Sequence, residues 1–102
     1  MESPLLTDFQ NRLLALAEDE WVHFRQARPI MGTAYERDVS FEELTSAVGR
    51  LSRLGFLVWK IRHNGKVHFR SRAPVEHQHN CSAAFSTSSA GKAYLALPRH
   101  VA

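Results

Sequence analysis

One cysteine, Cys81, in a chain of 102 residues excludes an internal disulfide and is compatible with a reducing compartment. No apolar run approaches the roughly 20 residues that span a bilayer, and the opening stretch MESPLLTDFQ has no basic segment ahead of an apolar one. A soluble, cytoplasmic protein without a membrane partner is expected. Internal repeats, heptad runs and low-complexity blocks are missing apart from the short Ser86-Thr87-Ser88-Ser89 run, which argues against solenoids and coiled coils. The scarcest property is negative charge in the second half. From residue 50 onward Glu76 is the only side-chain carboxylate against nine Lys and Arg, a net of +8, whereas residues 1–49 hold nine carboxylates against four arginines, a net of −5. A polyanion is the natural partner of such a basic half, because each cation placed near a phosphate releases a condensed counterion.

What is present organises around residues 40–72. Ser40 followed by Glu43 has the spacing of a capping box, in which each side chain takes the other's backbone N–H. Leu44, Ala47, Val48, Leu51 and Leu54 then recur at spacings of three and four, so one stripe of this helix is apolar. Gly55 stands where a helix ends in the left-handed conformation, and Phe56 begins a strand. A three-residue His63-Asn64-Gly65 loop would pair Ile61 with Val67 and Trp59 with Phe69. One face of the hairpin would then be apolar and the other would carry Lys60, Arg62, Lys66, His68, Arg70 and Arg72. A two-residue Asn64-Gly65 turn mixes apolar and charged side chains on each face, and the first register is the one expected.

Upstream, Thr7 and Gln10 fit a second capping box at the start of a helix over residues 7–18, with Phe9, Leu13, Leu16 and Ala17 at helical spacing. Residues 20–27 read either as a helix capped by Asp19 or as a short strand at Trp21-Val22-His23-Phe24. Pro29 suits a helix's first turn, so a helix over about 29–36 precedes the turn Arg37-Asp38-Val39. Downstream, Ala73-Pro74-Val75-Glu76 breaks the strand.

The pattern AVGRLSRLGFL running directly into a basic hairpin resembles the recognition helix and wing of winged helix-turn-helix proteins. The segment from Ser86 to Leu97 resembles the "LT-x-x-G-[KR]-x-x-L" stretch that follows the wing in MarR- and PadR-like regulators, which implies a final helix capped by a hydroxyl residue, here over about Ser88 to Leu97 and ended by Pro98; an insertion between wing and closing helix departs from those families. The resemblance implies an α+β fold, a winged helix-turn-helix with a three-helix core, a basic β-hairpin wing and a short C-terminal helix. The single domain would cover residues 1–102, with its core at about 7–72 and a C-terminal extension at 73–102.

On this reading Thr45, Ser46, Arg50 and Arg53 contact bases or phosphates of double-stranded DNA. Lys60, Arg62, Lys66 and Arg70 mainly hold backbone phosphates, His63 and Asn64 at the tip reach a minor groove, and His68 and Arg72 complete the DNA-binding face. A homodimer would supply the second half-site. Dipole stabilisation and capping explain Glu42 and Glu43, but both would stand near phosphates, which counts against conventional recognition or implies that Glu42 accepts from a cytosine amine; they keep open an alternative, a winged-helix protein-protein interaction module that does not bind DNA. His77, His79 and Cys81 alternate along an extended segment, as three ligands of a transition metal would, but no firm fourth ligand accompanies them unless the fold brings up Glu76, His68 or His100; a polar loop with a partly buried cysteine is the expected reading, and no metal or cofactor is assigned. Gly91-Lys92 lacks the first glycine and the hydroxyl residue of a phosphate loop, and neither Cys81 beside His79 nor the serine run beside His77 has an orienting third group. No enzyme is expected.

Overall fold

At both predicted capping boxes the hydroxyl caps its helix. Thr7 Oγ1 accepts the Gln10 N–H at 3.1 Å while Gln10 Oε1 accepts the Thr7 N–H at 3.0 Å, which completes the first capping box. At Ser40 only half of the box forms. The hydroxyl accepts the Glu43 N–H at 3.0 Å, but the Glu43 carboxylate turns away to Arg37. A guanidinium fork outcompetes a single backbone N–H for a carboxylate, since it offers two charge-assisted bonds at once.

The computed structural model describes residues 5–63, 65–71 and 82–97, with only the backbone of His63 and Ser82. Helices α1 (Asp8–Leu16), α2 (Phe24–Tyr35), α3 (Phe41–Arg53) and α4 (Ser89–Ala96) accompany strands β1 (Val22–His23), β2 (Leu57–His63), β3 (Lys66–Arg70) and β4 (Ser82–Thr87). The strands form one antiparallel sheet in the order β1-β4-β2-β3, an α+β architecture. Among the described residues no helix is long and apolar enough to cross a membrane.

Three expectations need correction. Residues 20–27 are strand and helix in succession, and α2 begins at Phe24, so Pro29 lies inside the helix instead of opening it. The hydrogen bond that proline forgoes would have used the carbonyl of Arg25, and both residues are exposed, so water can serve that carbonyl. Next, β4 is a strand that the sequence pattern does not predict. Ser-Ala-Ala-Phe-Ser-Thr has neither clean alternation nor a β-branched run, yet it lies between β1 and β2 with Phe85 fully buried. Its pairing on both sides supplies what propensity does not.

The third correction is the hairpin register. Trp59 pairs with Arg70, Ile61 with His68 and His63 with Lys66, so two residues, Asn64 and Gly65, separate the paired ends. Gly65 has φ +77°, the left-handed conformation that glycine takes without strain. The expected register assumed that Val67 and Phe69 must face the core. Strand β3 is the outermost strand and all five of its residues are exposed, so core burial never constrained its alternation.

The core lies between the helices and one face of the sheet. Leu13, Leu14, Met31, Leu44, Leu51, Leu57, Trp59 and Phe85 are its largest fully buried side chains. Trp59 sets the position of α3: its indole Nε1–H donates to Ser52 Oγ at 2.9 Å, and its ring lies 5.3 Å from that of Phe85. α3 ends in a Schellman arrangement, with the Phe56 N–H donating to the Leu51 carbonyl at 2.9 Å and the Gly55 N–H to Ser52 at 3.0 Å, Gly55 having φ +78°. β2 therefore leaves directly from the end of α3.

The serine-rich run is structural. Thr87 Oγ1 donates to the Leu14 carbonyl at 2.7 Å and Ser86 Oγ to the Ala17 carbonyl at 3.0 Å, which serves orphan acceptors at the end of α1. Ser88 Oγ accepts the Gly91 N–H at 3.1 Å as the cap of α4. A Cβ on Gly91 would stand 2.5 Å from the Phe56 carbonyl oxygen and 2.6 Å from Thr87 Cγ2, so the glycine permits α4 to pack directly on the start of β2.

Candidate nucleic-acid interface

α3 buries Leu44, Ala47, Val48, Leu51 and Ser52. The opposite stripe, spaced by three and four residues, carries Glu42, Ser46, Gly49 and Arg53. Ser46 and Arg53 are exposed, and the Arg53 guanidinium lies across Gly49, 3.4 Å from where a Cβ would be. Thr45 is half-buried and its hydroxyl donates to the Phe41 carbonyl one turn back at 2.7 Å. Arg50 faces α1, and its Nη1 donates to Gln10 Oε1 at 2.9 Å. Of the four α3 candidates, Ser46 and Arg53 share the outward stripe, Thr45 lies at its flank, and Arg50 joins two helices.

One of the two carboxylates at the start of α3 is paired. Arg37 donates to both oxygens of Glu43, at 2.9 and 2.7 Å, and these bonds hold the carboxyl below the usual carboxylate range and raise the guanidinium's pKa. Glu42 stays exposed in the first turn, where it complements the helix dipole.

The hairpin cations divide between two faces. Directly paired residues of an antiparallel ladder project to the same side. Arg70 and His68 therefore share the side of Trp59 and Ile61, which is the side of the helices, and Lys66 shares it through its pairing with His63. Lys60 and Arg62 pair with Phe69 and Val67 and project to the other side. The expectation of one apolar and one cationic face is thus overturned, and each face mixes the two kinds of side chain. Asn64 and Arg72 lie outside the described residues, as does the side chain of His63.

A second group of cations, which the sequence pattern does not predict, lines a cleft beside α2. A cleft of about 670 Å³ between α2 and the turn into α3 is lined by Arg25, Arg28, Pro29, Gly32, Thr33, Arg37, Asp38 and Val39. Arg28 is held there by its Nε–H, which donates to the Val39 carbonyl at 3.0 Å. The signal was present, since Arg25 and Arg28 stand three residues apart on an exposed helical face; starting the helix at Pro29 concealed it.

Glu76, His77, His79, Cys81 and His100, the metal candidates apart from exposed His68, lie outside the described residues, and among the described ones no group of three metal-capable side chains comes together. No family model, curated protein or solved structure matches this chain.

Proposed function

We propose that the chain is a double-stranded-DNA-binding protein of the winged helix-turn-helix kind, a small transcriptional regulator with no catalytic role. One observation carries the reading: Lys66, His68 and Arg70 project from β3 on the same side of the sheet as α3, whose outward stripe ends in Arg53. Helix and hairpin therefore offer cations to a single ligand. α2, a five-residue turn and α3 give the succession by which such proteins lay one helix in a major groove while the preceding helix crosses the backbone. Arg25 and Arg28 on α2 then serve the backbone, and the Arg37 fork keeps Glu43 from repelling it. One unit of this size covers one half-site, so the active form is a homodimer on a two-fold operator. The test is retention on duplex DNA over a salt series. Binding that fades steeply with salt and disappears when Lys60, Arg62, Lys66 and Arg70 are all changed to Ala supports the proposal; binding unaffected by those changes refutes the assignment of the hairpin.

A second reading, a protein-protein interaction module, is favoured by apolar side chains left outside the core near the same end. Phe41 is 50% exposed and stacks on Phe24 at 5.9 Å, and Ile30 is 40% exposed. Flow-through on heparin and duplex resins at low salt favours that reading.

A further inference from the structure

The outer side of the sheet carries aromatic rings that neither the core nor the duplex surface uses. Phe69 is 65% exposed and Trp21 is 40% exposed, and their rings are tilted 50° to each other with centroids 5.9 Å apart. The Lys60 ammonium stands over the Trp21 ring at 5.0 Å. Arg62 and Val67, paired with each other, continue the same face toward the hairpin tip. We propose that this face binds single-stranded nucleic acid, its unpaired bases stacking on Trp21 and Phe69 and its phosphates held by Lys60 and Arg62.

The choice of occupant follows from the chemistry. Rings interleaved with cations on an open sheet are what unpaired bases need, since each base has a π-face and each linkage a negative charge. Strands β2, β3 and β4 contain no carboxylate. The acidic turn Glu18-Asp19-Glu20 adjoins Trp21, which directs the phosphates to the Lys60 and Arg62 end. A duplex keeps its bases stacked within itself and cannot offer them to the rings. A second copy apposed along the β3 edge would set Lys66 and Arg70 against their own counterparts, the like-charge arrangement that discourages edge pairing.

These residues lie on the opposite side of the sheet from the proposed duplex surface, so the two ideas can fail separately. The test is fluorescence anisotropy of the full chain with labelled dodecathymidylate, its uridylate counterpart, an abasic strand of equal length and a duplex. Both base-bearing strands are expected to bind at least tenfold more tightly than the abasic one, and the tighter of the two identifies DNA or RNA as the source. Phe69→Ala, on an exposed edge strand, should weaken strand binding roughly 5- to 100-fold, the loss of one stacked base, and leave duplex binding within about twofold. Phe69→Tyr should restore it, with circular dichroism confirming the fold of each variant. Equal affinity for thymidylate and abasic strands overturns the proposal, as does unchanged strand binding by Phe69→Ala. An effect of Phe69→Ala on sedimentation-measured self-association, with strand binding intact, assigns the rings to a second copy and also overturns it. Binding of strands but not of duplex removes the proposed function and leaves this inference standing.

Discussion

The division of the hairpin cations makes a quantitative prediction about duplex DNA. The two perturbations are matched in charge: Lys66→Ala with Arg70→Ala removes two cations from the helix side, and Lys60→Ala with Arg62→Ala removes two from the outer side. If the helix-side pair contacts two phosphates, the slope of log affinity against log salt should become shallower by about 1.8, at roughly 0.9 per phosphate. Extrapolated to about 1 M salt the variant and the parent converge, so at about 0.1 M the same slope corresponds to a loss of about 60-fold. The outer pair lies across the sheet from α3, and its loss should change the slope by less than about 0.5, the residue of long-range attraction screened over about 10 Å.

The assay is a duplex titration by anisotropy at four or more salt concentrations, with the unfolding midpoint of each variant as a control for folding. Both strands are held by backbone pairing that Ala preserves, so neither variant should unfold early. A slope change at least as large for the outer pair as for the helix-side pair would refute the reasoning, because it would place the duplex against the wrong face or show that only total charge matters.

Three further outcomes are expected. Ser52→Ala leaves the buried Trp59 indole N–H without an acceptor and should cost about 1–3 kcal/mol in urea unfolding, whereas Ser52→Thr, which keeps the hydroxyl, should cost less; equal midpoints for parent and Ser52→Ala would show that the bond contributes nothing. Gly91→Ala should destabilise by about 1–3 kcal/mol although alanine is the better helix former, because its Cβ meets a backbone carbonyl that cannot give way; a stabilised variant would contradict that packing. The Tyr35 hydroxyl is pushed up to about 12 by partial burial, by donation to Asp8 and by the charge of Asp8. With the folded value above the unfolded one near 10, the unfolded chain loses this proton first, so this contribution to stability is complete below about pH 10 and declines between about 10 and 12. Tyr35→Phe should flatten that part of the pH profile, and a profile unaltered by the change would exclude the contribution.

Where one residue's chemistry decides locally, the sequence was a good guide. Thr7, Ser40 and Ser88 cap their helices, Gly55 ends α3 and the apolar stripe of α3 is the buried one. Each depends on neighbours within four residues. Strand β4 depends on partners about 25 and 60 residues away, and its Ala-Ser composition carries no sign of them. The Glu43 carboxylate illustrates the same limit at the scale of one side chain, since the partner it takes, Arg37, lies beyond the reach of the capping pattern that its spacing to Ser40 obeys.

The hairpin register exposes a subtler dependence. Alternation reports which side of a strand is buried only if one side is buried, and β3 has neither side covered. The choice between registers therefore passed from the core to the turn, where two residues and a left-handed Gly65 close the hairpin. The consequence reaches the candidate site. In the expected register all the cations would crowd one face and the rings the other, giving one polyanion surface and one apolar surface. In the observed register Phe69 stands beside Lys60, and Arg70 lies on the side of Trp59. The same composition thus yields two mixed faces in place of one cationic and one apolar face, and the two proposed modes of binding can be tested separately.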